Sequence, residues 1–322
     1  MTWTPTCWMM YFRRTIRMEK TLLVIAGPTA VGKTACGVEV ARHFGSEVIS
    51  ADSRQIYREC SIGTAVPTSE ELSAVPHHFI QCVSLGEPYN ASIFEEAVLQ
   101  KLKILFSKHS LVLMVGGSGL YIDAVCRGID ELPSADPVLR KQLHQRFRNE
   151  GLGPLTEELK RLDPRSYERI DLKNHMRVLK ALEVSIQTGS PYSSFLSATA
   201  KPRPFSILEV ALDMERDQLY RRINHRVDRM MEAGLLDEVE SLSSFRYENA
   251  MKTVGYRELF RYLDGEVGLD EAVDLIKRNT RKFARKQITW FRKGERYHWI
   301  TSEHAANVIS WAEERLREEG SG

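Results

Sequence analysis

The sequence predicts an α/β fold, a parallel sheet flanked by helices, with an all-helical domain inserted into it. Three observations carry that prediction. An apolar strand, a Gly-bearing turn and a helix follow one another over residues 21–44. The same order returns over residues 111–125. Strand signals then vanish from about 129 to 201 and resume afterwards.

Residues 21–26 read as a buried strand and 47–50 as a second, short one. Residues 111–115 are wholly apolar, the mark of a central strand in a parallel sheet. Gly116-Gly117-Ser118-Gly119 supplies the next turn, and 120–125 the next helix. The following stretch is charged, helical and punctuated by Pro133, Pro137, Pro154, Pro164 and Gly189-Ser190-Pro191. Residues 205–211 alternate apolar with polar and return a strand to the sheet. Helices are expected over 217–233, 237–241, 270–291 and 302–318. The division is therefore a disordered tail at 1–20, a core from 21–128 and 202–322, and a helical insertion at 129–201.

With 322 residues, 43% apolar and 27% charged, the chain suits a globular protein of more than one packed unit. No apolar run approaches the roughly 20 residues of a spanning helix. Cys7, Cys36, Cys60, Cys82 and Cys126 are odd in number and include no C-x-x-C pair. That excludes a disulfide framework or a zinc ribbon and points to reduced thiols in the cytoplasm. The first twenty residues carry Arg13, Arg14 and Arg17 but lack the apolar core of a secretory signal, and Met18 stands as an alternative start.

Charge is unevenly placed. Residues 277–296 hold nine basic side chains against Glu295, a net +8, while the rest of the chain carries −6. On a helix the basic side chains fall on one side, with Ile276, Phe283, Ala284, Ile288 and Phe291 on the other. A cationic face on an otherwise acidic protein suits a phosphate-rich polymer, so nucleic acid is the expected partner class.

Gly27-Pro28-Thr29-Ala30-Val31-Gly32-Lys33-Thr34 satisfies G-x-x-x-x-G-K-[ST] between the first strand and first helix. Successive amides and the helix N-terminus aim positive dipoles at an anion, Lys33 adds a charge, and the Thr34 hydroxyl can hold Mg²⁺. The core is thus P-loop NTPase-like, and a phosphate or diphosphate binds here. The motif alone leaves open whether that group belongs to ATP, GTP or another molecule. The third strand runs into Gly116-Gly117 without the acidic residue an NTP hydrolase keeps there, and no guanine-reading Asn-Lys-x-Asp exists. Asp52, just past the second strand, shares the carboxyl rim with this loop and is a candidate general base.

These residues resemble a known family. The phosphate loop, Ile49-Ser-Ala-Asp-Ser-Arg-Gln-Ile-Tyr57 with Ile62-Gly63-Thr64-Ala65, and Val115-Gly-Gly-Ser-Gly-Leu-Tyr121 are similar to the tRNA dimethylallyltransferases. So are Arg177-Val-Leu-Lys-Ala-Leu-Glu183, residues 219–226, Val254-Gly-Tyr-Arg-Glu-Leu259 and Arg285-Lys-Gln-Ile-Thr-Trp-Phe-Arg292, in order from about 21 to 299.

The resemblance implies transfer of a dimethylallyl group from dimethylallyl diphosphate to N6 of the adenosine immediately 3′ of the anticodon, in tRNAs reading codons that begin with U. It gives residues 27–34, with Arg222 and Arg226, to the prenyl diphosphate, and Mg²⁺ to Thr34. It makes Asp52, Lys33, Thr29 and Arg222 the catalytic set. It assigns tRNA contacts to Asp52, Ser53, Arg54, Gln55, Ser118, Arg140, Met176, Arg177, Val178, Leu179 and Lys180. In that picture the insertion closes on the anticodon stem-loop and the basic helix, with Arg281 and Arg285, tracks the backbone. Lys180 and Met176 depart from the commoner family residues. No cysteine follows Cys126, whereas eukaryotic relatives often carry a Cys/His finger, so a bacterial-type, cytoplasmic, monomeric enzyme is expected.

Two rivals share parts of this reading. A small-molecule P-loop kinase would use the same loop, with Arg221, Arg222 and Arg226 as a lid. A non-catalytic RNA-binding module would use the basic helix but leave the loop and Asp52 idle. His77-His78 with Cys82 has no standard zinc spacing and reads as core or surface histidine.

Overall fold

The structure is a computed structural model that describes residues 20–134, 136–197, 199–301 and 305–319. The tail expected at 1–20 lies, but for Lys20, outside the described residues, as do the first three residues of the last predicted helix. The chain divides into two compact units, one running to Cys126 and resuming at Arg203, the other spanning Arg127–Pro202.

The first unit is built on β1 (Thr21–Ala26), β2 (Val48–Ser50), β3 (His77–His78), β4 (Leu111–Gly116), β5 (Ser206–Leu212) and β6 (His298–Ile300). They lie in the order β3-β2-β4-β1-β5-β6 with every pairing parallel. β1 and β4 are buried along their whole length, which is why both read as near-continuous apolar runs. Their register pairs Ala26 with Gly116, and β1 likewise pairs Ala26 with Ala211 on β5, so the carboxyl ends of three strands finish level and make one rim.

Helices α1 (Lys33–Phe44), α2 (Ser69–Ala74), α3 (Ala91–Leu105) and α4 (Gly119–Arg127) follow the early strands. The sequence reading missed α2, α3, β3 and β6. The two strands have two and three residues and α2 six, too short for a period to register, whereas α3 is signalled by Gly86, Pro88 and the capping Asn90 before it and was overlooked.

Gly116 closes β4 against the neighbouring loop. A Cβ built there would stand 2.2 Å from the Ala51 carbonyl oxygen, which is backbone and cannot swing away. The missing carboxylate at this strand end is thus a steric necessity. Gly116→Ala is expected to lower the unfolding free energy by about 3 kcal/mol, since a packed core yields little to added volume. Urea titration of the purified variant measures this, and a loss below about 0.5 kcal/mol would show that the two strand ends can part.

The second unit is helical: α5 (Pro137–Glu150), α6 (Gly153–Leu162), α7 (Pro164–Arg169) and α8 (His175–Thr188). Pro137, Pro154 and Pro164 lie in the first turns of helices. Asp136 and Asp163 cap α5 and α7, each with Pro at the first helical position. Asp163 is buried and accepts from Ser166 N–H and Oγ and from Ser193 N–H and Oγ, a carboxylate with four donors inside the unit. Leu143, Leu155, Leu159 and Leu182 form the core together with Val178 and Leu179, at 0% and 4% exposure. The last two were expected at an RNA surface. They face inward because they lie on the apolar side of α8, and they can act on a partner only by placing their neighbours.

The chain then builds α9 (Arg216–Glu232), α10 (Leu235–Ser241), α11 (Tyr256–Leu263), α12 (Leu269–Arg292) and α13 (Ala305–Glu319) on the first unit. α12 buries Ala272, Ile276, Ala284, Gln287 and Phe291. Phe283 was expected on that packed side and instead is 46% exposed.

Candidate active site

The phosphate loop leaves β1 and enters α1 at Lys33, with no side chain capping the helix. The first-turn amides are therefore free to face a ligand. Val31 sends its side chain into the core and can offer only its amide, and Pro28 gives its carbonyl to Lys33 Nζ at 2.6 Å. Lys33 and Thr34 line a polar cavity of about 350 Å³ with Gly32, Asp52, Arg222 and Arg226. His225 and Arg229 extend its cationic wall. Burial pushes the Lys33 ammonium down to about 7, against the opposing pull of Asp52 and with a further push from Arg226. Burial lowers the Arg226 guanidinium as well. Burial without enough counter-charge thus weakens the hold of both groups on their protons, and an anion in the cavity would restore it.

A second cavity, about 470 Å³, adjoins the first. Its walls are mostly apolar, from Ile223, Val227, Met230, Leu235, Phe283 and Trp290, with Thr29, Ser53 and Ser118 among the polar groups. Phe283 and Trp290 belong to it, which accounts for their exposure on α12. Asp52 and Arg226 line both cavities, and Arg226 donates to Thr29 Oγ1 at 3.3 Å.

Asp52 is held by its own chain. Oδ1 accepts the Arg54 and Gln55 amides at 2.9 and 3.4 Å, an Asx-type turn. Among the described residues Oδ2 accepts no hydrogen bond. Ser118 splices this segment to the Gly turn: its amide donates to Ala51 O at 3.2 Å and its Oγ accepts from Ser53 N–H at 2.9 Å. Gln55 is turned inward, its Nε2 donating to Thr64 O and Ala65 O, and Arg54 reaches Asn249 O at 3.3 Å.

Sequence reasoning missed Gln287. It is buried on α12, accepts the Thr29 amide on Oε1 and donates from Nε2 to Gly117 O, both at 2.9 Å. One side chain thereby locks the phosphate loop to the Gly turn. The available signal was its spacing, since Ala284, Gln287 and Phe291 share one helix face and only the middle residue is polar.

The other expected contacts are dispersed. Arg281 binds Asn224 Oδ1 at 2.5 Å and Arg285 lies exposed on the outer side of α12. In the helical unit, Arg140 and Lys180 both bond the buried Glu183, at 2.7 and 3.1 Å, while Met176 and Arg177 are exposed. His78 and His109 lie 2.7 and 3.2 Å from Glu47, at the opposite end of the sheet from the rim. Hydrogen bonds from the two histidines hold the Glu47 carboxyl below its ordinary value, although its burial alone would raise it.

The family model described as IPP transferase matches residues 55–294. The chain is 46% identical over 298 residues to tRNA dimethylallyltransferase 1 of Bacteroides fragilis, covering 92% of this chain and 99% of that one. It is 45% identical to the tRNA dimethylallyltransferase of Cytophaga hutchinsonii, with 94% and 99% covered. The solved tRNA isopentenylpyrophosphate transferase of Bacillus halodurans superposes with a TM-score of 0.69 at 36% identity over 94% of this chain and 98% of that one. A eukaryotic dimethylallyltransferase acting on tRNA shares the fold at a TM-score of 0.78 and 22% identity, over 93% of this chain and 80% of that one.

Proposed function

Because the chain belongs to the IPP transferase family, we propose that it moves a dimethylallyl group from dimethylallyl diphosphate to N6 of the adenosine immediately 3′ of the anticodon, in tRNAs reading codons that begin with U. The observation that carries this reading is the meeting of a cationic cavity and an apolar one at Asp52 and Arg226. The first suits a diphosphate; the second suits a flat base beside a five-carbon chain.

The diphosphate rests on the amides of the loop at 27–34, apart from Pro28, which has no N–H, and the Thr29 amide already given to Gln287, with Lys33, Arg222 and Arg226 around it. As the C1–O bond breaks, the electron pair stays on the diphosphate, where fixed cations and amides stabilise the growing charge. N6 of adenine bonds to C1, and Asp52 takes its proton. Adenine must leave the loop stack to reach this point. Thr29, anchored through its amide by Gln287, keeps its hydroxyl beside Arg226 where the two cavities join. The donor set also suits Mg²⁺, which binds through few protein oxygens and the substrate's phosphates: Thr34 would hold it. When bound, the ion neutralises diphosphate charge.

The exposed Met176 and Arg177, with Arg140 and Lys180, would meet the anticodon stem-loop from the helical insertion, and Arg281 and Arg285 its backbone. We read the enzyme as a monomer, and the substrate class suits a cytoplasmic location. The kinase alternative is disfavoured by Gly116, where no Mg²⁺-holding carboxylate fits.

Purified protein with Mg²⁺, radiolabelled dimethylallyl diphosphate and bulk tRNA is expected to move label into the tRNA fraction, with labelled ATP unconsumed in parallel. ATP turnover without prenyl transfer would overturn the proposal.

A further inference from the structure

Ile62-Gly63-Thr64-Ala65 and Val254-Gly255-Tyr256 take no part in the chemistry above, yet they meet at one carboxylate. Glu238, on α10, accepts the Ser61 and Ile62 amides on Oε2 at 2.9 and 2.7 Å. On Oε1 it accepts the Gly63 amide at 2.9 Å and the Tyr256 hydroxyl at 2.7 Å. A carboxylate has lone pairs for four donors and no donor of its own to clash with them, and bonds to a charged acceptor are the stronger kind. Tyr256 is fully buried, and Gly63 lies so near its ring that a Cβ would stand 2.6 Å from a ring carbon. No residue with a side chain could bring that amide to Glu238.

The turn so gathered is tied onward. The Ala65 amide donates to Ile62 O at 3.0 Å and the Val66 amide to Ser61 O at 3.2 Å, closing it on itself. Its Thr64 and Ala65 carbonyls accept Gln55 Nε2 at 3.3 and 2.8 Å. The Gln55 amide, with that of Arg54, then holds Asp52 Oδ1. A continuous hydrogen-bonded path thus runs from Glu238 to Asp52. The turn itself is a wall of the apolar cavity through Gly63 and Thr64, facing Leu235 from the same helix as Glu238.

We infer that Glu238 is a positioning residue for the transfer reaction: it fixes the turn at 61–66 and, through Gln55, the orientation of the Asp52 carboxylate. The inference rests on the reading of Asp52 as the base. Glu238 and the turn lie outside the lining of the diphosphate cavity, which the path meets only at Gln55 and Asp52.

A double-mutant cycle tests it. Single-turnover prenyl transfer is measured at saturating dimethylallyl diphosphate and tRNA for the native protein, Glu238→Gln, Asp52→Asn and the pair, with diphosphate affinity measured separately. Glu238→Gln is expected to slow transfer about 30-fold in the native background, the scale of a sub-ångström misplacement, with affinity for the diphosphate unchanged. In the Asp52→Asn background the same change is expected to cost about twofold, because an absent base cannot be misplaced. Equal losses in both backgrounds, or no loss in the first, would overturn the inference while leaving the base assignment intact. Asp52→Asn running at the native rate would overturn the base assignment and the inference with it. If Glu238→Gln does not fold, Gln55→Leu cuts the same path at its next joint and enters the same cycle, judged on its losses in the two backgrounds alone because Gln55 also lines the diphosphate cavity.

Discussion

Asp52→Asn and Asp52→Ala should both slow prenyl transfer by about a thousandfold, within the range that a positioned proton acceptor contributes. The pair of substitutions separates two roles. Asparagine keeps an oxygen where Oδ1 meets the Arg54 and Gln55 amides, so the turn survives while basicity is lost. Alanine removes both. Similar rates for the two would show that proton transfer, and not the shape of the turn, is what the carboxylate supplies. The need is chemical: the N6 lone pair is delocalised into the ring, so the amine attacks weakly unless its proton is taken as the bond forms. Diphosphate affinity should change far less than the rate, because Lys33, Arg222 and Arg226, which line the same cavity, all remain in both variants. An asparagine variant that keeps the native single-turnover rate would remove Asp52 from the mechanism.

Lys33→Met should lower kcat/KM for dimethylallyl diphosphate by about 100- to 1000-fold, the scale of one fixed donor removed from a site of developing negative charge. Methionine keeps the length and apolar stem, so the loss reports the ammonium alone. Lys33 also makes binding pH-dependent, and the sign follows from its value of about 7 in the free protein. A bound diphosphate raises that value, so the complex holds more protons than the free protein above pH 7. Affinity is therefore greatest below pH 7 and falls as pH rises through and beyond it, by up to about tenfold per unit. Calorimetry at pH 8 in buffers of different ionisation enthalpy should record uptake of close to one proton on binding. Lys33→Met should abolish that uptake, leaving only the ligand's own titration, and uptake persisting in the variant would assign it elsewhere.

Much of this architecture is legible in the sequence. β1 and β4 announce themselves because a strand buried on both faces has no polar alternation to blur it, and each runs into a Gly turn. The phosphate loop and Asp52 are legible because local sequence makes them: a left-handed Gly32 before Lys33, and a short Asp that caps its own turn. The partners that hold these pieces in place were not legible. Gln287 meets Thr29 and Gly117 across most of the chain, and Glu238 meets the turn at 61–63 nearly as remotely. No spacing rule connects such positions. Phe283 was misplaced for a related reason. Helical periodicity finds an apolar side but cannot tell a core from a cavity wall, and α12 presents one to each. Val178 and Leu179 erred in the opposite direction, since a motif carried them to a surface that the α8 stripe turns inward.

The clamp at Gln287 also sets an order of events during synthesis. The phosphate loop is complete by residue 34, yet the side chain that bonds its Thr29 amide is translated 258 residues after Thr29. β1, too, lacks one of its two neighbours until β5 is made, beyond the helical unit. A ribosome-bound chain can therefore complete its first helical turns and the helical unit well before it owns a working anion site. An N-terminal fragment that contains every phosphate-loop residue but ends before Gln287 therefore presents that loop without its anchor.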